Sequence, residues 1–471
     1  MPRIALTGGA YQARSLIAAA QRCVNLYPEP VPDDQGEPVK VVHNLTPGLR
    51  QVAAGAGMVR GEWLASNGRF FVVIGGTLYT FSGSTLTPVT AIPVRTRPVS
   101  MADNGVTLAL VDGSTAGWWI DLASLAVTPI VDPAFYGADR VDYVDTFFIF
   151  NRPGTPQWYV GDSNATTFDP LYIASKTGAS DDLQTLMVCH REIWLIGTIS
   201  SEIWFNAGAT DFPFSIVPGA FIEQGTCAKY SVAKAGTSVL WLSQNRNGER
   251  YVVQGENYQA KRISTFAIEE ALRGYAVVAD AIGYTYQQGG HGFYVLTFPT
   301  GDATWVYDLN TGIWHERLWS DAQGALHRHR GVCAANWNGT VYVGDQDNGS
   351  IYALDPGTYT DNGAPVVRIR TFPHMVEDAD RVVYRQFIAD MEVGNIADFS
   401  DPQVSLRWSN DRGQTWGNPV MMSVGTTGNY LLSMQVQRLG MARDRVFEVS
   451  WSVPVRTSLT GAFIEVIKAA S

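Results

Sequence analysis

Few side chains in this 471-residue sequence stand at spacings that suit chemistry. The most ordered set is Ser409, Asp411, Gly413, Thr415 and Trp416, which fits the pattern S-x-D-x-G-x-T-W. In such a stretch the aspartate accepts backbone N–H groups, the glycine relaxes the backbone and the tryptophan packs beneath a hairpin. That is the chemistry of a stabilised turn, with no catalytic part. His327 and His329, around Arg328, offer two imidazoles, but no further His or Cys lies at a supporting spacing. A solvated loop is expected there in place of a metal site. Glu269-Glu270 and Asp181-Asp182 suggest acid/base pairs, yet adjacent carboxylates on a helix or strand point in different directions, and both pairs are expected on solvated surface. The sequence contains no G-x-S-x-G, H-E-x-x-H, Walker-type loop or G-x-G-x-x-G. Neither an enzyme, nor a metal, nor a cofactor is expected.

The elements that would position such residues are short strands. Gly (46) and Pro (23) are frequent, aromatic residues are abundant (14 Trp, 20 Tyr, 20 Phe), and long Leu/Lys/Glu-rich stretches are missing. This composition excludes a helical bundle or coiled coil. A hydrophobic fraction of 46% excludes a disordered chain and suffices for one large domain and a smaller one. The net charge of -10 has the wrong sign for gripping phosphate backbones. Cys23, Cys189, Cys227 and Cys333 form no CxxC and read as buried small hydrophobes in a reducing compartment. The N-terminus has no cationic segment followed by an apolar core, and no run approaches eighteen apolar residues, so neither export nor a membrane span is expected. The Asn-x-Ser/Thr matches at Asn44, Asn164, Asn338 and Asn348 carry no weight without a secretory context.

From about residue 61 one unit repeats: a polar or Gly-containing turn, an apolar strand, a second turn and an aromatic-rich strand. The first copy covers residues 67–81, opening on Asn67-Gly68 and turning at Gly75-Gly76. Further copies begin near 104, 145, 190, 236, 290 and 338. The resulting period of about 45 residues is close to that of a four-stranded propeller blade. The fold expected is all-β: a β-propeller of about seven blades over 61–360, an extended Pro-rich arm with little packing of its own over 1–60, and a C-terminal sandwich-like β domain over 361–471. A β-sandwich pair is the competing arrangement for the repeats. Residues 262–273, with a Ser/Thr cap and apolar spacing near 3.6, read as a short helix inserted between blades.

Several ordered segments resemble the tail hub, or packaged-DNA stabilisation, proteins of short-tailed bacteriophages. Val24-Asn25-Leu26-Tyr27-Pro28 and Thr46-Pro47-Gly48-Leu49 are similar to the family's opening motifs. The run from Arg191 through Ser201-Glu202-Ile203-Trp204-Phe205 to Ala228 resembles its most recognisable stretch, and Ile263-Ser264-Thr265-Phe266-Ala267-Ile268-Glu269 its helix. Trp408-Ser409-Asn410-Asp411-Arg412-Gly413 and Phe463-Ile464-Glu465-Val466 are similar to its last hairpin and strand.

The resemblance implies a non-enzymatic virion component, assembled in the bacterial host cytoplasm as a homo-oligomeric ring, a hexamer. Such a ring would sit in the tail below the portal and the head-to-tail adaptor. It would close the DNA channel, let DNA pass without sequence-specific binding, and offer attachment to a tail needle, tailspike or fibre, with no membrane partner. Two other classes compete. One is a glycan-binding or sialidase-like propeller, since the S-x-D-x-G-x-T-W turn also occurs in sialidases; it would need an Arg cluster and a Tyr/Glu pair at the propeller mouth. The other is a Kelch-like protein-binding scaffold, suggested by the run from Trp305 to Trp314.

Overall fold

Phe70-Phe71-Val72-Val73-Ile74 is a strand with every residue buried, although it belongs to an antiparallel sheet. Burial on both faces means that the sheet has a neighbour on each side. The alternate side chains divide accordingly: Phe70, Val72 and Ile74 pack with Tyr342, Ile351 and Ala353, while Phe71 and Val73 pack with Met101, Leu108 and Leu110. In a computed structural model of the chain, residues 4–6, 11–12, 20–31, 40–376, 380–392, 402–425, 428 and 432–468 are described. They divide into two compact units, one of residues 51–302 and 330–354, the other of residues 1–50, 303–329 and 355–471.

In the first unit, successive strands form antiparallel sheets that meander outwards. Val59–Leu64, Phe70–Ile74, Thr77–Phe81 and Leu86–Ala91 make one sheet, and sheets of the same order begin at Ser100, Val141 and Leu183. A five-stranded sheet covers residues 225–262. The first strands of these sheets are 41 or 42 residues apart, from 59 to 100, 141, 183 and 225. The helix Phe266–Gly274, capped by Thr265, then interrupts the spacing before Ile282–Gln288. Innermost strands neighbour one another in order, from Val59–Leu64 through Ser100–Asp103, Val141–Val144, Leu183–Cys189, Ala233–Ala235 and Ile282–Gln288 to Gly331–Trp337, which lies against Val59–Leu64 again. This closed ring of stacked sheets is the β-propeller read from the repeats. Its apolar layers follow the same logic throughout: Trp119 with Phe148 and Phe150, Trp158 with Leu186 and Leu195, Trp194 with Val239 and Trp241. Each fully buried Phe, Val or Ile in them contributes about 1.5–3 kcal/mol.

Two-residue turns set the register of several hairpins. Val144 pairs with Phe147 across Asp145-Thr146, Cys189 with Glu192 across His190-Arg191, and Trp337 with Thr340 across Asn338-Gly339. Both central residues of each turn have positive φ, the backbone that matches strand twist in a hairpin. Only the third uses Asn-Gly, the sequence signal of such a turn.

The second unit holds a sandwich. One sheet orders Met434–Ala442, Val382–Met391, Leu459–Lys468, Lys40–Leu45 and Leu26–Val31. The other contains Cys23–Val24, Arg368–Thr371, Asp444–Trp451, Gln403–Ser409 and Val420–Ser423 in that order. Phe387, Ile464 and Leu26 from the first sheet and Leu406, Phe447, Val449 and Cys23 from the second share one core. The arm expected over residues 1–60 is therefore corrected for its described part. Val24 and Leu26 are fully buried, and prolines 28 and 30 sit in a strand paired with Lys40–Leu45. Val24 and Leu26, one on either side of Asn25, help dock the segment; Pro32-Asp33-Asp34 lies outside the described residues.

Asn25 locks this N-terminal piece in place. Its φ is +55°, a left-handed backbone that Asn tolerates better than most residues. Its Nδ2 donates to the Leu318 carbonyl at 2.8 Å and the Val367 carbonyl at 2.7 Å, and its Oδ1 accepts the Leu318 N–H at 2.9 Å. The same residue's backbone N–H donates to the Glu316 carbonyl at 2.9 Å, and its carbonyl accepts the Thr46 N–H at 3.3 Å.

Candidate functional site

A cavity of about 410 Å³ lies among the innermost strands of the propeller. Four cationic side chains, Arg60, Arg140, Lys229 and Lys234, and three acidic ones, Glu62, Asp139 and Asp142, line it between apolar residues such as Met187 and Val332. Arg60 is 2% exposed. It donates to the carbonyls of Arg97, Gly75 and Pro93 at 3.0–3.1 Å, and its Nη2 has no partner among the described residues. Arg140 donates from Nη2 to the Met187 sulfur at 3.3 Å and interacts with the charge of Asp142, and its Nε is likewise without a hydrogen-bond partner among the described residues. Burial pulls both guanidinium groups below their ordinary values, and both stay charged.

The acids are treated unequally. Lys229 pairs with Asp139 at 2.8 Å. Asp142 accepts the N–H groups of Val188 at 2.7 Å and Tyr143 at 2.9 Å, while burial raises its carboxyl. Both Glu62 oxygens are buried with no hydrogen-bond partner among the described residues, and burial pushes that carboxyl well above its usual range. Tyr230 faces Asp139, not Glu62.

The S-x-D-x-G-x-T-W stretch closes the end of the strand Gln403–Ser409. Asp411 accepts the Ser409 hydroxyl at 2.6 Å, the Thr415 N–H at 2.8 Å and the Thr415 hydroxyl at 2.5 Å. The Ser409 oxygen in turn accepts the Gly413 N–H at 2.8 Å. Hydrogen bonds from Ser409 and Thr415 pull the Asp411 carboxyl down to about 2. Gly413 and Arg412 both have positive φ, of 88° and 65°. Trp416 is half-buried, with the Arg407 guanidinium 4.8 Å above its ring, so it covers the turn without filling a core beneath it.

Three surface expectations are corrected. Asp181 is buried beside Lys176 and accepts the Ile199 N–H at 2.9 Å and the Ser200 hydroxyl at 2.8 Å. Glu269 is 2% exposed, held by Arg262 and by the Ser264 hydroxyl at 2.8 Å, whereas Glu270 turns to Arg273. His327 and Arg328 lie in the strand Leu326–Arg328 and His329 is buried, so the segment is not a solvated loop. Among the described residues no group of three or more His, Cys, Asp or Glu is placed to hold a metal ion. Among them, too, no helix is long and apolar enough to cross a membrane.

Two successive stretches of the chain match known families. Residues 2–359 match the family described as "Bacteriophage P22 Gp10, beta-propeller", and residues 368–467 match "Bacteriophage P22 Gp10, beta-sandwich". The chain belongs to the phage P22 Gp10 family. Chains of this family are tail hub proteins of short-tailed phages.

No curated protein matches the chain. Among solved structures, the extracellular domain of the hybrid two-component system BT4673 from B. thetaiotaomicron is similar at a TM-score of 0.45 and 9% identity, over 65% of this chain and 40% of that one. The chain thus spans well under half the length of that protein. The WD40 β-propeller domain of Doa1 reaches a TM-score of 0.41 at 12% identity, over 65% and 98% of the two chains. BamB from Moraxella catarrhalis reaches 0.38 at 10%, over 72% and 97%. At these scores the three likenesses carry no argument about function.

Within this chain, the motif residues serve the scaffold. Asn25 ties strands together, and the Glu202 carboxylate, fully buried, accepts the Thr177 and Gly178 N–H groups and the Trp204 indole N–H at 3.2 Å. Sequence reasoning singled out neither Arg60 nor Glu62. The available signal was charge at alternate positions of an otherwise half-apolar strand, Arg60 and Glu62 in Val59–Leu64.

Proposed function

We propose that this chain is the tail hub that closes the DNA channel of its phage after packaging. It forms a ring, a hexamer of propellers of about seven blades, below the portal and adaptor, and it holds the tail needle, tailspikes or fibres. The single observation that carries this reading is the match to Gp10 over both the propeller and the sandwich, in the same order along the chain. A rigid ring of β-sheets, each buried on both faces, suits a part that must hold its shape against the pressure of packaged DNA. The net charge of -10 suits a channel that DNA passes without adhering. The turn at Ser409, Asp411, Gly413, Thr415 and Trp416 is a structural device in this reading, and the chain performs no catalysis.

Electron microscopy of particles made by the source phage with this gene deleted, beside complemented particles, tests the proposal. Heads that package and then lose DNA, without distal tail parts, are the expected result. Full particles with normal tails would overturn it.

A further inference from the structure

Side-chain alternation gathers charge on the outer face of one sandwich sheet. Val382, Tyr384 and Phe387 of the strand Val382–Met391, and Met434 and Leu439 of its neighbour Met434–Ala442, belong to the buried core. The positions between them place Val383, Arg385, Arg438 and Met441 on the other side of the sheet, and Arg381 and Arg443 continue the row just beyond the strand ends. Where the pairing skips after Tyr384, Arg385 comes opposite Arg438 and Leu439, a bulge in which Arg438 has a φ of +59°. All four arginines are exposed. Among the described residues no hydrogen bond or ion pair engages Arg381, Arg438 or Arg443. The described acids at this end of the strands do not cancel the row. Asp380 precedes Arg381, Glu465 lies 3.6 Å from Arg385, and Asp444 is buried between His374 at 2.9 Å and Arg412 at 2.8 Å.

Met434–Ala442 is also the last strand of its sheet, with Val382–Met391 on one side and no strand among the described residues on the other. The opposite edge of that sheet, Leu26–Val31, is protected by Pro28 and Pro30, which have no N–H to offer a further strand. Met434–Ala442 contains no proline, and its register is regular from Met434 to Gln437. We infer that this edge is a docking site for an extended acidic segment of a partner protein, which adds to the sheet as a further strand and sets its carboxylates against Arg381, Arg385, Arg438 and Arg443. A row of unpaired backbone N–H and C=O groups is complemented by an extended chain, and the arginines select a chain that carries carboxylates. Between them the half-exposed Met441, paired with Val383, suits an apolar side chain at alternate positions of the guest. Nucleic acid would bring phosphates but no backbone row and no apolar side chains, and a net charge of -10 repels it from the chain as a whole. The inference goes beyond the hub reading and stands or falls separately from it.

Fluorescence anisotropy of a fluorescein-labelled octapeptide of alternating Glu and Val with the full chain tests the site. Saturable binding is expected, weakened by about tenfold or more in a double variant, Arg438→Glu with Arg443→Glu, whose two changes fall on exposed side chains outside the core. An octapeptide of alternating Glu and Pro, equal in charge but without an N–H at every second residue, should not bind to wild type. Thermal melting of the double variant accompanies the titrations. No saturable binding of the Glu/Val peptide by wild type, unchanged binding by the folded variant, or equal binding of either the Glu/Pro peptide or a fluorescein-labelled twelve-residue oligothymidylate would each overturn the proposal.

Discussion

Removing the Asn25 side chain is the most direct way to test whether the N-terminal segment belongs to the sandwich unit. In Asn25→Ala the Leu318 N–H and the carbonyls of Leu318 and Val367 lose this partner, the two Leu318 groups in a buried setting and the Val367 carbonyl in a half-buried one. Each buried group left unsatisfied costs about 1–1.5 kcal/mol at the lower end of the usual range, so the three together cost roughly 3–4 kcal/mol. Alanine must also hold the left-handed backbone at φ +55°, at about 1–2 kcal/mol. The expected loss is about 4–6 kcal/mol. Asn25→Gly separates the two contributions, because glycine takes this backbone without strain. It should be more stable than Asn25→Ala by about 1 kcal/mol. Urea unfolding at pH 7, followed by circular dichroism and by tryptophan fluorescence, measures both. An alanine variant within 1 kcal/mol of wild type would refute the reasoning, as would a glycine variant less stable than the alanine one.

Three further outcomes are expected. Deleting residues 1–31 removes Cys23–Val24 and Leu26–Val31 from the two sheets and should abolish cooperative melting of the sandwich in calorimetry; a retained two-transition trace would show that the segment is dispensable. Trp416→Ala should cost about 1–2 kcal/mol, the sum of half a ring's burial and an exposed cation–π contact with Arg407, and a loss above 3 kcal/mol in urea unfolding would mean a deeply buried ring. His315, buried and pulled down to about 3, is neutral in the fold. Its pKa is lower folded than unfolded, so the stability it contributes is full above about pH 6.5 and is lost as the pH falls towards 3. The hydrogen-bonded Asp411 adds a second loss with the same sign, between about pH 4 and 2. Melting temperatures from pH 7.5 to 3 should therefore decline, and less steeply in His315→Gln; identical slopes would refute the assignment.

The propeller was legible because its signal is local. Turn residues, a fully apolar second strand and an aromatic third strand recur within each stretch of about 41 residues, and stacking around a ring is the arrangement that buries both faces of such sheets. The sandwich strands beginning near 368, 403 and 444 were legible from alternation for the same reason. The N-terminal strands were not. Cys23 pairs with Arg370, and Leu459 with His43, partnerships across more than 300 residues that no periodicity within residues 1–60 records. Buried charges escaped for a related reason. Asp181 and Glu269 look like surface acids in sequence, and only the fold places Lys176 and Ser200, or Arg262 and Ser264, around them. The turns at Asp145-Thr146 and His190-Arg191 carry neither Asn nor Gly, so their positive φ had no residue type to announce it.

The seam where the propeller closes has a consequence for how the chain is made. Phe70, Val72 and Ile74 rest on Tyr342, Ile351 and Ala353, which leave the ribosome about 270 residues later. At roughly 5–20 residues per second, the face of the first sheet waits about 15–50 seconds for its cover. During that interval an apolar β surface stands open in a cell translating many copies of the same message. Nascent chains on neighbouring ribosomes carry the same uncovered face, and a late strand from one copy can settle on the early sheet of another. The pace of translation between these two regions, and the chaperones that occupy the waiting sheet, thereby influence how much of the hub reaches its closed ring.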